Sequence, residues 1–299
     1  MKRLRALVLA TRPWSFSMTA ISVSLAAVAS AGIRPFRWLD YFLVLAGMIM
    51  THGATNLLND YFDYRHGVDT SSSPTARYRA HPLVEGILSP RGILLAAIVL
   101  YGSAAAIGVV LTFRRGLVVL LFAAVGALAS VFYTAGPVKF KHRALGELAV
   151  FLMWGPLMML ATSTIITGGW QRALQVALIS VPQGLWVALV IFANNLKDIS
   201  FDRGSGVWTI ANLLGRDRAL RAFCAGLAAA YASVAALSAL RVIPVWGLAV
   251  LLSSPLAVVL ALDLMKYPEV PVDADPRTAR TGMVFGLLLL GAYLADAFL

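Results

Sequence analysis

The sequence of 299 residues is poor in cysteine and in charge. Its one cysteine, Cys224, lies in an apolar run, so no disulfide framework can form and the thiol is expected to be a small packing residue. The cysteine and the four histidines lack the spacing of a zinc site, which disfavours zinc. Only 13% of the residues are charged and 60% are hydrophobic, a balance that excludes an ordinary soluble domain.

The apolar residues fall into long runs that predict an all-α, polytopic membrane protein. A helix needs about 20 apolar residues to cross a bilayer, and roughly nine runs of that length are present. The whole chain, residues 1–299, is expected to form a single transmembrane domain. The predicted spans are 15–33, 39–59, 91–112, 116–134, 145–167, 173–197, 218–240, 243–263 and 281–298.

Positive charge is concentrated on one side of these spans. Most of the 25 lysine and arginine residues precede the first span or follow spans that end on the same side. The positive-inside rule therefore predicts a cytoplasmic N-terminus and an outer C-terminus, in the inner or plasma membrane of the cell. The same bias explains the net charge of +11, so the expected partner is a lipid bilayer and not a nucleic acid.

The inner end of the second span carries a stripe of polar side chains. The offsets between His52, Asn56, Asn59, Asp60 and Asp63 place them along one face of a continuing helix. Carboxylates at the edge of a membrane are costly and are by default functional. The histidine either orients a carboxylate or hydrogen-bonds a neighbouring helix, and the sequence leaves both open.

A second stripe ends the sixth span. Asn194, Asp198 and Asp202 are one turn apart, and Gln183, three turns earlier, shares their face. The second and sixth spans run in the same direction, so both stripes are expected at the same depth. Each contains Asn-x-x-x-Asp, which is consistent with an internal repeat of four helices, spans one to four and five to eight, followed by a ninth helix.

Two convergent acidic stripes suit the chemistry of a magnesium diphosphate. Capping and ion pairing at the membrane interface could explain one aspartate, but not four in two registered stripes. Four neighbouring carboxylates cannot all stay ionised without cations, and oxygen ligands beside basic residues suit Mg²⁺. The candidate catalytic and Mg²⁺-binding residues are Asp60, Asp63, Asp198 and Asp202.

Cations that could hold a diphosphate lie in the inner loops beside these stripes. Ordinary positive-inside charge explains part of this set, and spacing does not show which cations touch phosphate. The long segments 60–90 and 196–217 start from the stripes and are expected to be lids, since water would quench an allylic carbocation. The candidate cations are Arg12, Arg65, Arg77, Arg79, Lys139, Lys141, Arg143 and Lys197.

Along essentially its whole length the chain resembles the UbiA superfamily of intramembrane prenyltransferases, and within it the 1,4-dihydroxy-2-naphthoate polyprenyltransferases of menaquinone biosynthesis. The resemblance rests on the spans, on Asn-Asp-x-x-Asp in the first stripe and on Asp-x-x-x-Asp in the second. Further matching stretches are Arg12-Pro13-Trp14-Ser15, Gly67-Val68-Asp69, Tyr133-Thr134 with Gly136-Pro137, Gly146-Glu147, Asn194-Asn195, Asp202-Arg203, Thr209-Ile210-Ala211 and Leu214-Gly215.

The resemblance implies a helical bundle around a central cavity that is open laterally to lipid, with lid loops on the cytoplasmic side. It implies that the four aspartates bind Mg²⁺ and a polyprenyl diphosphate, and that Lys139 or Lys141 contacts phosphate. The prenyl cation would alkylate an aromatic acceptor, 1,4-dihydroxy-2-naphthoate, which would lose its carboxylate. The candidate diphosphate-binding residues are Arg12, Asn56, Asn59, Lys139, Lys141, Asn194 and Lys197.

Two positions depart from the family pattern. Val207-Trp208 stands where a Lys-Arg pair is usual, and Gly67 replaces the third aspartate of the first motif, with Asp69 two residues on. The missing cations and the aromatic Trp208 support a second hypothesis, a terpene cyclase of the same superfamily, beside a prenyltransferase with another acceptor. A cation-coupled transporter is disfavoured, because transporter sites lie near the bilayer midplane. Prenyl chain length, acceptor and oligomeric state stay open.

Overall fold

The computed structural model describes residues 2–30, 36–70 and 81–298, with side chains up to residue 296. Most of these residues are helical, which confirms the predicted all-α fold. The helices are α1 (Lys2–Ala10), α2 (Phe16–Ser30), α3 (Trp38–Arg65), α4 (Pro90–Arg115), α5 (Val118–Thr134), α6 (Gly146–Thr167), α7 (Ala173–Lys197), α8 (Ile199–Gly204), α9 (Ile210–Leu214), α10 (Arg216–Ala239), α11 (Val245–Lys266) and α12 (Ala274–Phe298).

Seven of the described helices, α3, α4, α6, α7, α10, α11 and α12, are long and apolar enough to cross a membrane. Helix α5 is apolar but has 17 residues, and α2 has 15. Each predicted span overlaps one helix, so the prediction of a polytopic membrane protein is confirmed. The number nine, the single domain with its four-helix repeat and the orientation stay predictions.

Helix α7 occupies the centre of the largest hydrophobic core, where it contacts α2, α6, α10 and α12. Trp186 of α7, Phe223 of α10 and Phe285 of α12 are completely buried in this core. The ring centroids of Trp186 and Phe285 are 5.4 Å apart. Such rings bury a large area and favour tilted contacts, and they hold these helices together.

A close approach between α6 and α7 shapes the wall of the bundle. A Cβ atom on Gly155 would lie 3.2 Å from the Cα atom of Gly184 and 3.1 Å from the carbonyl oxygen of Ser180. Gly155 and Pro156 lie in a π-helical turn, Met153–Leu157. Because proline lacks a backbone N–H, it interrupts the regular α-helical hydrogen bonds at this turn.

Two arginines hold the N-terminal end of α3 against the C-terminal end of α4. The Nε atom of Arg114 donates to Oδ1 of Asp40 at 2.7 Å, and that of Arg115 donates to Oδ2 at 2.6 Å. Asp40 is completely buried. A buried carboxylate needs such partners, so this acidic residue at the end opposite the stripes has a structural explanation.

Two loops at the other end are joined by an isolated β-bridge between Arg143 and Trp208. The backbone nitrogen of Ala144 donates to the carbonyl oxygen of Trp208 at 2.7 Å, and that of Trp208 donates to His142 at 3.2 Å. The bridge brings the loop after α5 beside the loop after α8.

Candidate active site

A cavity of about 380 Å³ lies inside the bundle, and its walls come mainly from α2, α3, α4, α5, α6 and α7. One end is polar and contains residues of both acidic stripes. The polar residues at this end include Arg12, His52, Asn56, Asn59, Asp63, Asp69, Lys141, Asn194, Asn195, Asp198, Asp202 and Asp275.

The rest of the cavity is apolar and extends towards the start of α3, the end of α4 and the start of α5. Leu43, Leu111 and Phe122 mark this far part of the wall. Ala123 and Ala127 of α5 line the cavity and are both exposed.

In the first stripe, Asp63 is held by the loop that follows α5. The Nζ atom of Lys141 donates to Oδ2 of Asp63 at 2.5 Å, and Nε2 of His142 lies 3.3 Å from Oδ1. The carboxylate is almost completely buried. The Gly-Pro loop therefore supplies a cation directly to the polar end of the cavity.

Asp60 of the same stripe points to a different partner. The Nη2 atom of Arg12 donates to its Oδ1 at 2.6 Å, and Asp60 is completely buried. Asp60 is not among the residues that line the cavity, unlike Asp63. In a helix with 3.6 residues per turn the two side chains are about 60° apart, which explains the difference.

Asp69 and His81 lie beside Asp60. The Nε2 atom of His81 is 3.1 Å from Oδ2 of Asp69 and 4.0 Å from Oδ1 of Asp60. Candidate ligand atoms of the three residues lie within 4.8 Å of one another. Asp69, which lines the cavity, appeared in the sequence only as a displaced family position, and no sequence pattern pointed to His81.

In the second stripe the three predicted residues all line the cavity. The Nδ2 atom of Asn194 donates to Oδ2 of Asp198 at 3.2 Å. The helix is interrupted at Asp198, between α7 and α8, yet the nitrogen of Asp202 still donates to the Asp198 carbonyl at 2.8 Å. Gln183, predicted on the same face, is instead completely buried near Gly286 of α12 and is not among the lining residues.

The electrostatics of the second stripe favour a bound cation. Burial raises the pKa of Asp198 to about 6, against the opposing effect of Lys197 and Lys141. Burial and then the Asp198 carboxylate raise the pKa of Asp202 to about 7. Among the described side chains, Oδ1 of Asp198 and Oδ1 of Asn59 are buried without a hydrogen-bond partner. Partly protonated carboxylates with unpartnered oxygens fit Mg²⁺, which prefers oxygen ligands.

Of the three lysines predicted to bind diphosphate, the structure brings Lys141 alone to the cavity wall. Burial acts to lower its pKa, but the Asp63 carboxylate outweighs burial and the net shift is upward. The Nζ atom of Lys139 lies 3.4 Å from Nε2 of His66, outside the cavity. Lys197 donates to Asp275 of α12 and is not among the lining residues.

Among the candidate arginines, Arg12 lines the cavity wall, whereas Arg65 and Arg143 do not. Arg65 is exposed at the end of α3, and Arg143 donates to the carbonyl oxygen of Pro137 at 3.1 Å. Arg77 and Arg79 lie outside the described residues.

At the position of the missing Lys-Arg pair, Val207 is buried and Trp208 is 54% exposed. Neither residue is among those that line the cavity.

Comparison with known proteins supports these observations. The sequence profile of the UbiA prenyltransferase family matches residues 19–285. The 1,4-dihydroxy-2-naphthoate octaprenyltransferase of Bacillus subtilis (strain 168) is 29% identical over 291 residues, which cover 96% of this chain and 92% of that protein. UbiA prenyltransferase domain-containing protein 1 of Xenopus tropicalis is 32% identical over 211 residues, 70% of this chain, but the chain spans only 59% of that relative's length.

Solved structures share the fold. A UbiA homolog from Aeropyrum pernix K1, in its apo form, superposes with a TM-score of 0.72 at 21% identity, over 94% of this chain and 98% of the other. A UbiA homolog from Archaeoglobus fulgidus bound to GPP and Mg²⁺ gives a TM-score of 0.67 at 17% identity, over 100% of both chains.

Proposed function

This chain belongs to the UbiA prenyltransferase family, and we propose that it uses Mg²⁺ to transfer a prenyl group from a polyprenyl diphosphate to 1,4-dihydroxy-2-naphthoate. Family membership makes the chain an intramembrane prenyltransferase. The Bacillus relative, aligned over 96% of this chain, supports the acceptor. The Archaeoglobus homolog, bound to GPP and Mg²⁺, supports the donor and the metal.

The observation that carries the proposal is that one cavity joins a charged end to a long apolar part. A polyprenyl diphosphate has the same two parts, an anionic head and a hydrocarbon tail. The tail can stay in an apolar environment while the head meets carboxylates and cations. A side opening at the exposed Ala123 and Ala127 would let a long tail continue into the lipid.

The polar end offers suitable partners for the head group. Asp63, Asp198 and Asp202 would hold Mg²⁺, with Asp69 alongside. When bound, Mg²⁺ neutralises negative charge on the leaving diphosphate. Arg12 and Lys141 would donate charge-assisted hydrogen bonds to its oxygens. Asp60 would contribute indirectly, through its ion pair with the arginine.

The transfer requires one bond to break and one to form. The C–O bond of the prenyl diphosphate breaks and its electron pair leaves with the diphosphate. The electron-rich ring supplies the pair for the new C–C bond, and loss of the ring carboxylate as CO₂ restores aromaticity. The loops joined at Arg143 and Trp208 would exclude water from the allylic cation.

The competing hypotheses have less support. The cyclase hypothesis used Trp208, but this ring is outside the cavity wall and cannot stabilise a cation there. Family membership favours the enzyme over the transporter. A different aromatic acceptor stays open and is an outcome of the experiment below.

The orientation belongs to the same proposal. The N-terminus would be cytoplasmic and the C-terminus outside, because most lysine and arginine residues would then lie inside. The polar end of the cavity would face the cytoplasm, where a water-soluble diphosphate can leave.

The experiment is an acceptor screen on purified protein in lipid nanodiscs with a labelled polyprenyl diphosphate. Dihydroxynaphthoate, 4-hydroxybenzoate and no acceptor are compared, each with Mg²⁺ and with EDTA. Mg²⁺-dependent prenylated naphthoate with release of CO₂ is expected. Diphosphate release without a prenylated ring, or equal turnover in EDTA, would overturn the acceptor or the metal, respectively.

A further inference from the structure

A chain of hydrogen bonds passes through His52, which lines the cavity. Trp154 donates through Nε1 to Oγ1 of Thr19 at 3.0 Å, and that oxygen lies 2.8 Å from Nδ1 of His52. On the other side of the ring, Oγ of Ser15 lies 3.2 Å from Nε2. The same Ser15 hydroxyl donates to the carbonyl oxygen of Arg12 at 2.8 Å. The chain thus connects α6, α2 and α3 to the turn that carries Arg12.

One assignment of donors and acceptors satisfies every bond in this series of hydrogen bonds. A hydroxyl has one proton, and the Ser15 proton is used by a carbonyl oxygen, which can only accept. Ser15 therefore accepts from Nε2–H of His52. The Nδ1 atom of the neutral ring then accepts from Thr19, whose oxygen accepts from Trp154, a donor only. Both ring nitrogens are engaged, so His52 has no free lone pair for a general base.

This series of hydrogen bonds ends at a turn with a strained backbone. Arg12 has φ 55° and ψ 60°, the left-handed conformation that L-residues rarely adopt. Both the hydroxyl and the backbone nitrogen of Ser15 bond its carbonyl, at 2.8 and 2.9 Å. Asn56, one helical turn after the histidine, donates to the carbonyl of Thr11 at 2.9 Å. From this conformation the Arg12 guanidinium reaches Asp60 and the cavity wall.

We propose that His52 is a positioning residue that, as the neutral Nε2–H tautomer, links Trp154 and Thr19 to the Arg12 turn and thereby aims the guanidinium at the polar end of the cavity. The inference rests on the proposed function in one respect, that Arg12 binds the diphosphate. His52 itself touches neither the diphosphate nor the metal.

The tautomer can be measured without any turnover. In protein labelled with ¹⁵N-histidine and held in nanodiscs, the resonances that disappear in His52→Gln belong to His52. We expect one protonated nitrogen at Nε2 and one unprotonated nitrogen at Nδ1 at neutral pH. An Nδ1–H tautomer or an imidazolium ring would overturn the assignment.

The positioning role is tested by equilibrium binding of a radiolabelled, non-reactive prenyl thiodiphosphate. Thr19→Val keeps the side-chain shape but removes the hydroxyl and with it the hydrogen bonds to His52 and Trp154. This loss is expected to weaken binding about 3- to 10-fold. The matched control is Thr162→Val, because Thr162 is equally buried and, among the described residues, its hydroxyl bonds only Met158 of its own helix. The control should bind as the unchanged protein does.

A double variant separates positioning from a general loss of structure. In an Arg12→Ala background, Thr19→Val is expected to change binding less than about twofold, because no guanidinium remains to be aimed. Equal losses in both backgrounds, or an Arg12→Ala variant that binds normally, would overturn the proposal. Normal binding of the analogue without ring prenylation would overturn the proposed function and leave the role of His52 intact.

Discussion

The ammonium group of Lys141 lies 2.5 Å from Oδ2 of Asp63, although 78 residues separate the two along the chain. Asp63 belongs to the first stripe, but the positive charge of Lys141 also acts on the carboxylates of Asp198 and Asp202 in the second. The raised pKa of Lys141 keeps it a cation at neutral pH. One side chain from the loop after α5 is thus electrostatically shared by both stripes.

The first prediction concerns this lysine. Lys141→Gln is expected to lower kcat/KM for the prenyl diphosphate about 10- to 100-fold, since a hydrogen bond to a charged group is lost at the polar end. Lys139→Gln is the matched control, because that ammonium lies in the same loop but outside the cavity. Steady-state kinetics in nanodiscs would measure both variants. Equal effects of the two changes would contradict a role for Lys141 at the polar end of the cavity.

The second prediction concerns pH. The pKa values of Asp198 and Asp202, about 6 and about 7, lie above the ordinary value of 3.8, so the folded protein holds protons that the unfolded chain has lost. The apoprotein should therefore lose stability as pH rises from about 4 to about 7. Mg²⁺ must displace these protons, so its affinity should increase over the upper part of the same window.

Thermal melting in nanodiscs at about pH 5.5 and about pH 8, with Mg²⁺ and with EDTA, checks both statements. The rise in Tm caused by Mg²⁺ should be larger at the higher pH. Equal rises at both pH values would show that these two carboxylates do not titrate with metal binding.

The third prediction separates the metal role of the second stripe from its role in the fold. Asp202→Asn removes a carboxylate that burial and Asp198 disfavour, so the apoprotein should melt at a higher temperature than the unchanged protein. The same variant should gain less from Mg²⁺ and lose about 100-fold or more in turnover. Asp217→Asn, at an 81% exposed side chain, is the control and should behave normally in both assays. A variant that is destabilised without metal would contradict the electrostatic argument.

The fourth prediction concerns the apolar part of the cavity. Gly126 of α5 lines it, and a Cβ atom there would meet nothing within 4 Å. Gly126→Leu should therefore fill the space for the tail, so that short donors such as dimethylallyl diphosphate are still used and long ones are not. Gly102→Leu is the control, because Gly102 also faces open space but is not among the lining residues. Competition between short and long donors measures the change, and an unchanged preference would place the tail elsewhere.

The fifth prediction concerns orientation. A reporter fused after the last residue should be active on the outer side, and a cysteine introduced beside Arg3 should be shielded from an impermeant thiol reagent in intact cells. The single native cysteine, Cys224, can be replaced by Ala for this purpose. A labelled N-terminus in intact cells would reverse the orientation.

Helical spacing was sufficient to predict much of the site. Asn56, Asn59 and Asp63 were expected on one face of a helix, and all three line the cavity. Helical spacing alone is too coarse to place Asp60, which lies at the edge of the same stripe and accepts a hydrogen bond from Arg12. A few tens of degrees decide whether a carboxylate faces a cavity or a neighbouring helix.

Contacts between helices were beyond the reach of the sequence. Lys197 was predicted to bind diphosphate, and in the structure it donates to Asp275 of α12. Periodicity within one helix carries no information about such a contact with another. His81 contacts Asp69 although residues 71–80 lie between the two in the sequence, and no sequence pattern predicts this contact. The turn that carries Trp154 did leave a signal, because a Gly-Pro pair inside an apolar run is typical of a helix interruption.

The exposed alanines of α5 also have a consequence for how the reaction rate would depend on the concentration of the donor. Ala123 and Ala127 line the cavity and are exposed, and through the opening proposed there a donor tail would reach the site without leaving the hydrocarbon. The encounter is then two-dimensional, and what matters is the mole fraction of donor in the bilayer rather than its amount per litre. Adding inert lipid at constant total donor would slow the enzyme by surface dilution, and cells could tune its output through the membrane area in which the donor is spread.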